Sequence, residues 1–529
     1  MTSLRNILLI VLAIAFSATE AQAQAVRFDA DFESGALGTV RQMRSPRRRG
    51  GTTHLYYYVG PSLDPLNPID TDLRPSSNWF YFRISGVKDK YLHLSMPDNV
   101  AFGASYSYDG NEWFHFTPKE SQRHNIDKRF NNDTVYVAIY KPYTYSYLQE
   151  RLKDWTSRPG VEMDTIGYSH EGRPLQLLHI TDTSVPDEGK VRIWMHGRVH
   201  PSETPASYLL DGLVEYLTSD TPQGQSLRSQ IDAWILPFIN PDGVVDGLSR
   251  SNALGVNEEI NFGRSEDSTV VEVRAVKAVF EKLTSDRPLD FMLNSHSQLD
   301  ESAAFWMHRG TSTSPVYLRK EWTFAGLVCS MNPCMQPREM QFSNVASRYA
   351  EGWIWDRFAD STVALTIETP YTCYSMDWSG LWTTDDNLRE FGKRTLQAVA
   401  EYMGLSLPGR YLVEPEEAVG LGWRHYQGTE RSFIGDGAWM ATRDGMTITY
   451  SLDKLPAGSY KLYRFAAGDC IEPADQSDLL TPKGWMDPGP HGWVYMEDID
   501  QPHDGPFTYR YTVPSAGEFA DALLLVEAE

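Results

Sequence analysis

Cysteine is scarce in this chain: only Cys329, Cys334, Cys373 and Cys470 occur among 529 residues. That excludes a fold built on a disulfide framework, and the spacing matches no zinc-finger pattern, so any metal must be held by histidine and carboxylate. Positive charge is short as well. Lysine and arginine number 48 against 70 aspartates and glutamates, a formal net charge of −22, and a field of that sign excludes nucleic acid as a general partner. One stretch dissents: "RQMRSPRRRG" gathers Arg41, Arg44, Arg47, Arg48 and Arg49, but proline and glycine bound it, and it reads as a solvated loop. Beyond residue 23 no apolar run approaches the roughly twenty residues that span a bilayer, so no membrane span is expected.

What is present begins with "MTSLRNILLIVLAIAFSATEAQAQA". Arg5, the apolar stretch from Ile7 to Phe16 and the small-residue pattern Ala21-Gln22-Ala23 read as a secretory signal peptide over residues 1–23. The expectation is an exported protein, periplasmic or extracellular, in a compartment that permits Cys329 to pair with Cys334. Apolar residues at 41% and charged residues at 22% fit packed domains and argue against widespread disorder.

The grammar of the chain changes twice. Residues 24–145 carry short aromatic and β-branched runs, "WFYFRI" and "DTVYVAIY", between turn-rich stretches such as "GPSLDPLNP", and predict a β-sandwich. Residues 146–405 alternate strand and helix patterns. "YSYLQERLKDW" has helical spacing, "KVRIWMHG" reads as a buried strand, and Leu209, Leu210, Leu213, Val214 and Leu217 trace one helical face. Alternation of this kind predicts an α/β domain, a mixed sheet covered by helices. From 410 to 529 the strand pattern returns in "MTITYSL", "SYKLYRF" and "FTYRYTV", a second all-β domain that is a possible carbohydrate-contacting module.

His200 and Glu203, three apart in "MHGRVHPSETP", are a weak signal alone, since 13 histidines and 70 acidic residues produce such pairs by chance. Their context carries more. They follow a strand and precede a helix, the strand end at which α/β sheets place their sites. Asn240-Pro241-Asp242-Gly243, which reads as a turn that shapes the site, Arg250, His296 and Glu368 also lie at strand ends or in the loops behind them. A zinc hydrolase needs about three protein ligands, an open position, a carboxylate base and a cation for the developing oxyanion, and this set supplies them.

The order His-Pro-x-Glu, Asn-Pro-Asp-Gly, Arg, His and Thr-x-Glu resembles the zinc metallocarboxypeptidases. "FDADFESGALG", "NWFYFRI" and "VAIYKPYTYSYLQERL" are similar to the sandwich that precedes the catalytic domain in the cytosolic carboxypeptidase branch. The resemblance implies one zinc ion held by His200, Glu203 and His296, with Glu368 as proton acceptor and donor and Arg250 polarising the carbonyl of a peptide or protein substrate. It places Tyr349 as a substrate-binding tyrosine.

Two departures stand out. Where the family usually shows "GVDLNR", whose Asn-Arg grips a substrate's C-terminal carboxylate, this chain reads "GVNEEINFGR", with Glu259 and Ile260 at those positions. Arg264 or Arg348 is then the candidate replacement; otherwise the substrate lacks a free carboxylate there. The third ligand also has two readings. One alignment points to Asn294 and the other to His296, which is favoured because a neutral amide is a poor zinc ligand. The expected activity is a zinc-dependent carboxypeptidase. The alternatives are an amidase or endopeptidase on the same fold, or a non-catalytic binding protein.

Overall fold

The computed structural model describes residues 25–44, 53–97, 103–122, 124–299, 302–372, 382–416, 421–472 and 488–528. The leader expected over 1–23, Arg47 to Arg49 and Cys373 lie outside them. The chain divides into two compact units: residues up to 62 with 79–141, and residues 63–78 with 142–529.

The first unit consists of two five-stranded sheets. One joins Arg27–Asp29, Tyr81–Ser85, Thr134–Ala138, Ser105–Ser107 and Trp113–His115; the other joins Val40–Met43, His54–Val59, Tyr91–Ser95, Asn125–Arg129 and Ser121–Gln122. Their strands alternate as a half-buried sheet requires: Phe82 and Ile84, Val135 and Val137, and Leu92 and Leu94 are buried while their neighbours are less so.

The second unit is built on an eight-stranded mixed sheet, in the order Val161–Tyr168, Pro174–Ile180, Ile231–Leu236, Val191–Gly197, Phe291–Gln298, Val363–Pro370, Ala304–His308 and Gln341–Ser343. The four middle strands run parallel, and antiparallel pairs flank them. Parallel strands are covered on both faces, which is why "VRIWM", "FML" and "VALTI" are almost unbroken apolar runs. On one face Trp194, Met292 and Ala364 pack with Val276 and Phe280 of helix Val271–Leu283 and with Trp353 and Ile354 of helix Ala350–Phe358. The alternate side chains meet the other helices: Phe291 lies 4.7 Å from Phe324 of helix Pro315–Met331.

Helices Thr204–Leu217 and Asp385–Tyr402 approach closely enough that glycine is required on both. A Cβ on Gly212 would stand 1.9 Å from the Arg389 carbonyl oxygen, and one on Gly392 would stand 1.9 Å from that of Leu209. The C-terminal strands form separate four-, three- and two-stranded sheets, and strand Gly492–Gln501 of the four-stranded one packs on helix Pro315–Met331. There the Trp322 ring stacks on His491 at 4.6 Å, and its Nε1 donates to the Ile471 carbonyl at 2.9 Å. Cys329, on that same helix, is a free thiol, so the permitted pairing with Cys334 is not formed.

Gly212→Ala tests the close helix pair. Overpacking backbone against backbone costs about 1–3 kcal/mol or more, so the thermal midpoint should fall by about 1–3 °C or more. An unchanged midpoint would show that the two helices can separate without loss.

Candidate metal centre

The centre is assembled by one loop and two strand ends. After strand Val191–Gly197 the chain turns through Arg198, a non-glycine residue at φ 53°, to reach His200 and then Glu203, the N-cap of helix Thr204–Leu217. Such a backbone costs about 1–3 kcal/mol and persists only where its surroundings over-determine it. Here the buried Arg198 guanidinium supplies the restraint. It donates to the Pro201 carbonyl, to the Tyr143 carbonyl at 3.0 Å and to Ser207 Oγ at 3.1 Å, across the loop it belongs to. Asn240 braces the same region, its Nδ2 donating to the carbonyls of Val199 at 3.3 Å and Ser251 at 3.0 Å while its Oδ1 caps helix Pro241–Val245.

His296 lies near the end of strand Phe291–Gln298, and in the parallel pairing with Val363–Pro370 its register partner is Glu368. The sheet thus delivers these two residues side by side, 72 positions apart in sequence but adjacent in space.

The carboxylate of Glu203 sits between two imidazoles: Oε1 is 2.8 Å from His200 Nδ1 and Oε2 is 2.7 Å from His296 Nδ1, with the two Nδ1 atoms 3.1 Å apart. All three residues are buried, and their ligating atoms lie within 4.8 Å of one another, so the trio can hold a metal ion. Two imidazoles and a carboxylate suit zinc at a site with an open position. Burial would raise Glu203, but His200 and then His296 overcome it and hold the carboxylate well below its ordinary range. Burial would likewise lower His296, but Glu203 reverses the sign and pushes it up to about 10.

Glu368 stands beside the trio. Burial first, then the charge of Glu203, push it up to about 7 from its ordinary 4.5. Its Oε1 accepts from Trp306 Nε1 at 3.2 Å, and its buried Oε2 has no hydrogen-bond partner. Trp306 escaped the sequence reading because nothing in "AAFWMH" distinguishes an indole that serves a carboxylate from one that packs.

Arg250 is held from both ends. Its backbone N–H donates to Asp64 Oδ2 at 2.8 Å, and Asp64 also accepts from the amides of Ser249 at 2.7 Å and Ser251 at 3.0 Å. Its Nη2 meets Glu259 Oε2 at 2.9 Å, and that same oxygen lies 3.1 Å from His200 Nε2. Asp64 belongs to the "GPSLDPLNP" stretch, whose only sequence signal was its turns.

The remaining expected residues scatter. Asn294 donates to Glu351 Oε1 at 2.9 Å, so its amide is engaged with helix Ala350–Phe358 and not with the trio. Arg264 is ion-paired with Asp70 at 2.5 Å. Arg348 is exposed and stacks on Tyr349 at 4.9 Å. His308, outside the centre, is paired with Glu321 at 2.7 Å.

Residues 149–383 match the family described as zinc carboxypeptidase. The chain is 24% identical over 438 residues to mouse cytosolic carboxypeptidase 6, covering 75% of this chain and 78% of that protein. Two solved structures share the fold. One is a metallo-carboxypeptidase from Burkholderia cenocepacia, with a TM-score of 0.59 and 21% identity over 71% of this chain and 98% of that one. The other is a metallo-carboxypeptidase from Pseudomonas aeruginosa in complex with (2-guanidinoethylmercapto)succinic acid, with a TM-score of 0.60 and 20% identity over 72% of this chain and 99% of that one.

Asp64→Ala removes the acceptor of three amides. Hydrogen exchange at residues 249–251 should quicken by about tenfold or more, with the core strands unchanged. Exchange as slow as in the parent protein would show that the loop does not depend on this carboxylate.

Proposed function

We propose, from the premise that residues 149–383 are a zinc carboxypeptidase domain, that this protein is an exported metallopeptidase hydrolysing a peptide bond at or near the C-terminus of a peptide or protein substrate. The observation that carries the reading is the convergence of His200 Nδ1, His296 Nδ1 and the Glu203 carboxylate beside a buried Glu368 and the guanidinium of Arg250. Export is supported by the charged-then-apolar N-terminal stretch.

His200, Glu203 and His296 would hold the zinc ion, which when bound supplies Lewis acidity that polarises a carbonyl and acidifies water. Glu368 takes the proton from the attacking water at its unpartnered Oε2 and passes it to the leaving amine nitrogen, and Trp306 fixes the other oxygen. Arg250 donates to the scissile carbonyl oxygen as negative charge develops there, and Asp64 holds its backbone in place. The same reading assigns a β-sandwich to residues 24–145, supported by the Phe28 and Tyr57 rings that meet at 4.9 Å between the two N-terminal sheets. It assigns the catalytic domain to 146–405 and a second all-β domain to 410–529, with 63–78 serving the catalytic unit.

Purified protein should contain about one zinc per chain by elemental analysis, and His200→Ala and Glu203→Ala should lose it. Glu368→Gln should keep the metal while turnover drops by about 10² or more. Full turnover from metal-free protein would end this reading.

A pH profile gives a second check. Glu368 works as a base only when ionised, and its value is raised, so kcat/KM should fall as pH drops through an acid limb between 4.5 and about 7. Trp306→Phe deletes a donor that favours the ionised carboxylate and should move that limb upward. A profile flat from about pH 5 to about pH 8 would remove Glu368 from the role.

A further inference from the structure

Glu259 is the one charged group of the centre that the chemistry above leaves unused. Its Oε2 serves both Arg250 Nη2 at 2.9 Å and His200 Nε2 at 3.1 Å, whereas its Oε1 lies 3.9 Å from His296 Nε2, beyond hydrogen-bond reach. The side chain keeps 17% exposure and that of Arg250 keeps 42%, so the pair borders the accessible side of the centre. Charge decides what can approach it. Glu203, Glu259 and Glu368 already face one another there, and Arg250 meets Glu259 through Nη2 and serves the scissile carbonyl with its remaining donors, so it is not available to a second carboxylate. Of the two replacement arginines, Arg264 is committed to Asp70, and Arg348 rests on the Tyr349 ring at the surface. A substrate carboxylate beside the scissile bond would add another anion next to Oε1, while an N–H donor would complete that oxygen's hydrogen bonding.

We propose that Glu259 is a specificity-determining residue whose Oε1 accepts a hydrogen bond from an N–H group on the leaving side of the scissile bond. The site then prefers peptides whose terminal group is a carboxamide over the same peptides ending in a free carboxylate. This rests on the peptidase reading and narrows its substrate. Removing a charge that repels one substrate and serves another changes their ratio more than either rate alone suggests, because specificity is a difference of two interactions.

The test compares one peptide as its free acid and as its amide on zinc-loaded protein. Wild type should show kcat/KM at least about tenfold higher for the amide, and Glu259→Gln should shift the ratio toward the acid by about tenfold or more. Calorimetric titration of the same two peptides into zinc-loaded Glu368→Gln protein reads binding without turnover and should give the same order of affinity. Equal or faster hydrolysis of the acid by wild type, or a ratio unmoved in Glu259→Gln, overturns the proposal. A preference for the acid that disappears in Arg348→Ala overturns it in favour of Arg348 as a carboxylate clamp. If zinc-loaded wild type hydrolyses neither peptide, the peptidase reading fails, and the titration alone decides which terminal group the site selects.

Discussion

One carboxylate organises this centre. Glu203 lies between two buried imidazoles, and a buried carboxylate is tolerable there only because it has such partners. The main-chain amide of Ser297 adds a donor to Oε2 at 3.2 Å, which ties the carboxylate to the very strand that carries His296. Loop, helix cap and strand end therefore close on the same two oxygens. The left-handed turn at Arg198, with its web of donors, is the local cost of bringing His200 to that point.

The surroundings divide the acidic groups by environment. Glu203 and Glu259, each facing an imidazole, are held in the charged form, whereas Glu368, buried and within the fields of those two anions, is pushed toward neutrality. Carboxylates of the same kind acquire different tasks from position alone. Arg250 is the counterweight, and it sits in the centre because Asp64 gathers three successive amides of its loop.

How much of this was legible in the sequence follows from the range of each interaction. The periodic face Leu209 to Leu217 and the unbroken apolar strands are local patterns, and the structure contains the helix and strands they announced. His200 and Glu203 are also local. His296 and Glu368 were recognisable only as an ordered set, and strand register is what makes them neighbours. Asp64 and Trp306 left no trace, because a carboxylate that acts across 185 positions and an indole that acts across 62 look like a turn residue and a core residue until the chain folds. Arg264 looked available for a substrate because its partner Asp70 lies 194 positions upstream. Glu259 was visible as a substitution, but the direction of its side chain was not.

The segment 63–78 has a consequence for how such a chain can be inherited. It belongs to the second unit in space yet is encoded inside the first, flanked on both sides by strands of those sheets. Recombination at the apparent boundary near residue 142 would hand on the strands, the helices and the side chains of His200, Glu203 and His296, but not the acceptor that orders the Arg250 loop. A module grafted on at that boundary would have to bring its own carboxylate to the same three amides.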